Sequence, residues 1–190
     1  RFTKTVLDFN LDEPIEMAIL PDGKILFIER KGNVKSYDPA DGKIVVINTI
    51  NAWTKSEDGV IGLTLDPEFE KNKWVYIFYS HPDKSVNVVS RFVYNGNKLD
   101  LSSEKQIIEV ATQRETCCHT GGSLLFGPDG NLYISTGDNT SPFASDGYSP
   151  SDETPGRAPF DAQKSSGNTN DLRGKILRIH LEPDGTYTIP

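Results

Sequence analysis

The chain has 190 residues, 36% hydrophobic and 25% charged, which is the balance of a globular domain rather than of a disordered or fibrous one. Its 27 acidic and 20 basic residues leave a formal net charge of −7, which excludes nucleic acid and anionic membranes as natural partners, since both select a basic surface. No apolar run approaches the ~20 residues that cross a bilayer, so no membrane span is expected.

The first legible segment runs from Pro14 to Thr49. "PIEMAIL" is a short apolar run, "PDG" a turn and "KILFIER" a second run; "KGN" turns into "VKSYD", and "PADG" leads to "KIVVINT". Four β-type runs with turn chemistry between each pair predict an antiparallel meander. The next unit reads "VIGLTLDPEFEKNKWVYIFYS", then "VNVVSRFVYNGNKLD" hinged on "NGN". "GSLLFGPDGNLYISTGD" repeats the run–PDG–run unit, and "RGKILRIHLEPDGTYTIP" supplies another pair. Helical periodicity is scarce, with short helical turns expected only around "DPEFEKN" and "NDLRG".

Recurring units of four short strands predict an all-β fold, a β-propeller of four-stranded blades. The PDG turns centred on Asp22 and Asp129 lie 107 residues apart, a spacing that fits two blades. On that reading 1–190 is the N-terminal part of one propeller domain, about three blades, with the blades that close the ring outside it. From Thr140 to Ser166 four prolines and no strand pattern interrupt the rhythm, so 140–166 is expected to be a long loop insertion. It is either a surface excursion or a loop over one mouth of the propeller, where ligands sit.

The residues that could carry chemistry cluster around "TCCHTGG". His119 falls just before the inner strand of its blade, where an imidazole can point into the channel and accept a proton. The alternative is a histidine bonded to a neighbouring loop. Gly121 and Gly122 leave bare backbone there, permitting close approach of a flat ligand or of another backbone. Cys117 and Cys118 either form a vicinal disulfide that stiffens the turn or act as small buried hydrophobes. The disulfide is the expectation, and it would favour an oxidising compartment. Glu57 and Asp58, in "SEDGVIGL", occupy in their blade the place that His119 takes in its own. Asp138 and Asn139 have oxygens suited to calcium but are also ordinary turn residues. His81 reads as a loop residue, His180 as a strand-face residue, and Trp53 and Trp74 as core.

"EDGVIGLTLDPEFEKNKWVYIFYS", "CCHTGGSLLFGPDGNLYISTGDNT" and "NTNDLRGKILRI", in that order from Ser56 to Ile179, resemble the glucose/sorbosone dehydrogenase family. The family's double-Cys form is similar to bacterial multidomain members. The resemblance implies a six-bladed propeller that oxidises a sugar hydroxyl or hemiacetal with pyrroloquinoline quinone (PQQ) held by calcium, with His119 as general base. It places the cofactor against Glu57 or Asp58, His119 and Gly121, assigns no metal ligand to this chain, and puts the quinone-gripping residues and calcium loop in later blades. It further implies a sugar or small-alcohol substrate, a cytochrome c as a possible electron acceptor, and a periplasmic or extracellular location. In the family's glucose dehydrogenases the residue before the histidine is acidic, whereas here it is Cys118. Two readings stand beside the enzyme: a non-catalytic propeller that binds carbohydrate or another ligand, and a metal-dependent lactonase with carboxylates converging on the channel.

Overall fold

The computed structural model describes residues 1–143 and 145–190. Among the described residues, twelve strands form three four-stranded antiparallel sheets. The first sheet contains β1 (Pro14–Ile19), β2 (Ile25–Glu29), β3 (Asn33–Asp38) and β4 (Lys43–Thr49). The second contains β5 (Val60–Leu65), β6 (Trp74–Ser80), β7 (Val86–Tyr94) and β8 (Leu99–Ala111). The third contains β9 (Gly121–Phe126), β10 (Leu132–Thr136), β11 (Lys175–Leu181) and β12 (Tyr187–Thr188). Each is a plain meander in chain order, and β5 packs on β1 and β2 to one side and on β9 to the other. These are three successive blades of a β-propeller with β1, β5 and β9 as neighbouring inner strands.

The turns explain the regularity. In the three PDG turns the glycine N–H returns to the carbonyl three residues back: Gly23 to Leu20 at 2.9 Å, and Gly130 to Gly127 and Gly185 to Glu182 at 3.0 Å. The aspartate of each accepts the N–H two residues on, Asp22 from Lys24, Asp129 from Asn131 and Asp184 from Thr186. The glycines sit at φ +86°, +75° and +93°, a left-handed backbone for which a side chain is a handicap.

Two apolar seams hold the blades together. Leu26, Ile28 and Val34 meet Val60, Ile77 and Phe92 between the first and second blades; Tyr76, Phe78 and Val89 meet Leu124, Leu132 and Ile134 between the second and third. The unbroken run "WVYIFYS" is thereby accounted for. Alternate β6 residues face opposite seams, so Tyr76 and Phe78 are as buried as Val75 and Ile77, each contributing about 1.5–3 kcal/mol of apolar burial. The outer blades have one face uncovered, where Met17 and Ile19 on one side and Leu125 and Ile176 on the other are exposed. An apolar cavity of about 440 Å³, bordered by Leu7, Leu11, Met17 and Phe27, opens on the first of these faces. Glycine sets the closest approach: a Cβ on Gly62 would lie 2.0 Å from the Gly122 carbonyl oxygen, and one on Gly122 2.6 Å from the Phe78 ring.

Three expectations change. "DPEFEKN" does hold a helical turn, α1 (Phe69–Asn72), but "NDLRG" does not. There the Asp171 carboxylate accepts the Arg173 N–H at 2.8 Å and its guanidinium at 2.7 Å, and local side-chain bonds of this kind compete with helix. Trp53 is not core: it is half-buried, with the Lys55 ammonium 4.8 Å and the Arg114 guanidinium 4.5 Å from its ring centre. Trp74 is likewise half-buried, at the margin of the second seam under Arg91, 3.8 Å from its ring.

The insertion has internal structure, with two 3₁₀ turns, Ala158–Phe160 and Ala162–Lys164, and an isolated bridge between Ser151 and Asp161. Buried Asp152 accepts from Ser145 Oγ, the Thr154 N–H and Arg157 Nε, and these donors, Ser145 foremost, hold its carboxyl well below the usual range. At the neck, Gly174 N–H donates to the Gly137 carbonyl at 2.8 Å and Thr136 Oγ1 to that of Leu172 at 2.6 Å. The Lys175 ammonium caps the carbonyls of Ser165, Ser166 and Arg173 at 3.1, 3.0 and 2.8 Å. Among the described residues no helix is long and apolar enough to cross a membrane.

Candidate functional site

The approaches to the three inner strands meet at one end of the blades. Glu13 precedes β1, Ser56 to Asp58 precede β5, and His119 precedes β9. Glu13, Ser56 and His119 all adopt left-handed backbone, at φ +56°, +53° and +59°, which non-glycine residues take up only when neighbours hold them there.

Hydrogen bonds between blades tie these approaches together. Arg30, at the end of the first hairpin, donates Nε to Glu13 at 2.5 Å and Nη1 to the carbonyls of Thr54 and Asp58 at 2.9 and 2.6 Å. The same guanidinium, with Lys31 second, holds the Glu13 carboxyl down to about 2. Glu57 accepts the His119 backbone N–H on Oε2 at 2.6 Å.

His119 is held at three points. Its N–H goes to Glu57, its carbonyl accepts the Asn139 N–H at 3.2 Å, and its Nδ1 lies 2.9 Å from Asp138 Oδ1. Facing an ionised carboxylate, which only accepts, a neutral imidazole places its proton on Nδ1 and leaves the lone pair on Nε2. The imidazole side chain is 45% exposed against 22% for Asp138, so a half-exposed ring is held by a more buried carboxylate. Immediately before it, Cys117 and Cys118 are joined by a disulfide across a cis peptide.

The remaining expected residues divide. Glu57 is exposed at the mouth, but Asp58 turns inward, its Oδ1 accepting from Ser80 Oγ at 2.8 Å and Thr120 Oγ1 at 3.3 Å. Gly121 lines an open cavity of about 430 Å³ with Glu13, Ile15, Arg30, Glu57 and Ile61. The protein's own backbone already requires that glycine, since a Cβ there would sit 2.3 Å from the Gly137 nitrogen. Asn139 is buried, exchanging bonds with the backbone of Gln113, and so serves its turn. His81 Nδ1 accepts the N–H groups of Asp83 and Lys84 at 3.1 Å, and exposed His180 pairs with Asn131 at 3.0 Å. Among the described residues no group of three or more His, Cys, Asp or Glu gathers to hold a metal. Sequence reasoning missed Glu13 and Arg30. The positional equivalence that singled out Glu57 and His119 extends to Glu13, directly before the first inner strand.

The sequence profile of the family described as Glucose / Sorbosone dehydrogenase matches residues 11–188. Quinoprotein glucose dehydrogenase B of Acinetobacter calcoaceticus is 25% identical over 193 residues, covering 95% of this chain and 40% of its own length. Hedgehog-interacting protein of Homo sapiens is 27% identical over 204 residues, covering 95% of this chain and 26% of its own length. The PQQ-bound form of an aldose sugar dehydrogenase from Streptomyces coelicolor shares the fold, with a TM-score of 0.73 at 23% identity, over 95% of this chain and 48% of that one. The chain thus spans less than half the length of each of these proteins.

Proposed function

Because the chain belongs to the glucose/sorbosone dehydrogenase family, we propose that these blades are part of a six-bladed sugar dehydrogenase, with His119 taking the proton of the substrate hydroxyl. The observation that carries this is the His119–Asp138 pair, a half-exposed imidazole whose Nδ1 is bound by a carboxylate at 2.9 Å. His119 Nε2 accepts the proton as the substrate carbon gives up its hydride, and Asp138 stabilises the resulting imidazolium. The group bound in the Streptomyces structure, PQQ, would supply the two-electron hydride acceptor. The cavity beside His119 suits a flat ring, with Ile15 and Ile61 as apolar walls and Gly121 as bare backbone. Its guanidinium, Arg30, is already bonded to Glu13, Thr54 and Asp58, so on this reading the cationic partners of an anionic quinone, like the ligands of calcium, would come from further blades. Glu57 and Gly121 would border the cofactor, while Asp58 would act from behind through Thr120. The substrate class on this reading is a sugar or small alcohol, and a cytochrome c would serve as electron acceptor. The Cys117–Cys118 disulfide supports a periplasmic or extracellular setting, where such bonds persist.

A second reading, a non-catalytic ligand-binding propeller, is favoured by one observation. Hedgehog-interacting protein, whose name describes binding, matches this chain as well as the quinoprotein does. The deciding experiment is a titration of the completed propeller with PQQ and calcium, followed by dye reduction across a panel of aldoses. Tight binding with sugar-dependent reduction supports the dehydrogenase. Folded protein that neither binds PQQ nor reduces dye sinks it and leaves the ligand-binding reading.

A further inference from the structure

His119 keeps a left-handed backbone at an exposed position, and each group that holds it there can be named. Its carbonyl is pressed against Gly137, where an added Cβ would fall 1.6 Å from the oxygen, and it also accepts the Asn139 N–H. Its ring is held by Asp138. These partners all come from its own blade, from the connection that leaves β10. The backbone N–H alone is held from the neighbouring blade, by the Glu57 carboxylate at 2.6 Å, the distance of a strong charge-assisted bond. Glu57 is placed for this by its own tight turn, in which the Asp58 N–H donates to the Lys55 carbonyl at 3.0 Å and Ser56 is left-handed at φ +53°. The orientation of the imidazole is therefore set jointly by two blades.

We propose that Glu57 is a positioning residue. By accepting the His119 N–H on Oε2 it fixes the peptide from which the imidazole is aimed. The catalytic arm of this proposal rests on His119 being the base; the structural arm does not. What the contact requires is an acceptor oxygen, which glutamine retains and alanine lacks.

The test uses the completed propeller and its Glu57→Ala and Glu57→Gln variants, with fold checked by circular dichroism. NMR follows hydrogen exchange at the His119 amide and the protonation of its Nδ1 from ¹⁵N shifts, with no cofactor needed. Exchange is expected to be slow in the wild type and Glu57→Gln and at least about tenfold faster in Glu57→Ala, with the single Nδ1–H tautomer giving way to a mixture. In sugar oxidation, Glu57→Ala should lower kcat roughly ten- to hundredfold with KM nearly unchanged, the signature of a misaimed group, and Glu57→Gln should restore most of it. Wild-type exchange and tautomer in Glu57→Ala would overturn the proposal. So would a Glu57→Gln variant as impaired as Glu57→Ala, because the negative charge would then be the requirement. An inactive wild type would sink the dehydrogenase reading instead, and the exchange measurement would still decide whether Glu57 holds His119.

Discussion

Asp138 Oδ1 lies 2.9 Å from His119 Nδ1 and also accepts the Thr140 N–H at 3.0 Å, so one oxygen joins the candidate base to the first residues of the insertion. The carboxylate is thereby fixed from two sides, and on the proposed function the ring it orients would need no rearrangement to accept a proton at Nε2. Asp138→Ala is expected to cut kcat for sugar oxidation by tenfold or more, and His119→Ala to remove the roughly 10²–10⁴-fold that a positioned base supplies. His119→Ala should melt within a few degrees of the wild type, since the imidazole is half-exposed. Unreduced sugar oxidation in His119→Ala would remove the base assignment.

Acid should expose the importance of Glu29. Only 1% exposed, it accepts the Asp12 N–H at 2.8 Å, Lys35 Nζ at 2.5 Å and Asn33 Nδ2 at 3.0 Å. Burial pushes its carboxyl up, but Lys35, the Asp12 N–H and Asn33 together outweigh that, and the net displacement from 4.5 is downward. A carboxyl depressed in the folded state contributes stability above the ordinary glutamate range, and that contribution is lost as pH falls through the folded value. Urea unfolding at pH 7 and pH 3.5 should therefore show a larger acid loss in the wild type than in Glu29→Gln. At pH 7, Glu29→Ala should lose about 3–5 kcal/mol, because it strands Lys35. A neutral Glu29→Ala would contradict this account.

The seam between the second and third blades should tolerate no side chain at its crossing. Gly62→Ala sets a Cβ 2.0 Å from the Gly122 carbonyl oxygen, a rigid backbone atom, whereas Gly23→Ala meets nothing within 4 Å and only its φ of +86° resists. Gly62→Ala is expected to destabilise by about 3 kcal/mol or to prevent folding, and Gly23→Ala by about 1 kcal/mol. Comparison of their thermal unfolding midpoints tests the ranking, and equal effects would argue against so close a contact.

Thiol chemistry offers a direct check on the disulfide. Both cysteines of the chain are in the Cys117–Cys118 bond, so alkylating denatured, unreduced protein should add no label, and alkylating it after reduction should add two. Two labels without reduction would mean that the thiols are free.

The blades were legible because each strand pair is closed by a turn whose geometry needs the residues written there. The PDG triplets recur in the sequence and close with the same bonds in the structure. The position of His119 at the head of an inner strand followed from the same repetition. β8 was not legible as a 13-residue strand. Its sequence, "LDLSSEKQIIEVA", lies at the outer edge of its sheet and its pairing with β7 shifts register twice, so no period of two survives to be read. The division of roles between Glu57 and Asp58 was equally hidden, because it depends on Ser80 and Thr120 drawing one carboxylate inward. Nor does sequence spacing disclose Arg30 bonded to the carbonyls of Thr54 and Asp58, since those partners become its neighbours only when two blades pack.

The bonds that close the neck of the insertion have an engineering consequence. Gly137 and Gly174, with Thr136 and Leu172, pinch the excursion shut before any of its interior residues is reached. The pairing of β10 with β11 is thus closed by residues that flank the 140–166 segment, and substitutions at exposed residues of that segment are expected to leave the register of the blade intact. Libraries at those exposed positions are expected to be carried on an unchanged blade when Asp138, which holds the imidazole, Asp152, which ties the segment together, and Lys175, which caps the Ser165 and Ser166 carbonyls, are kept.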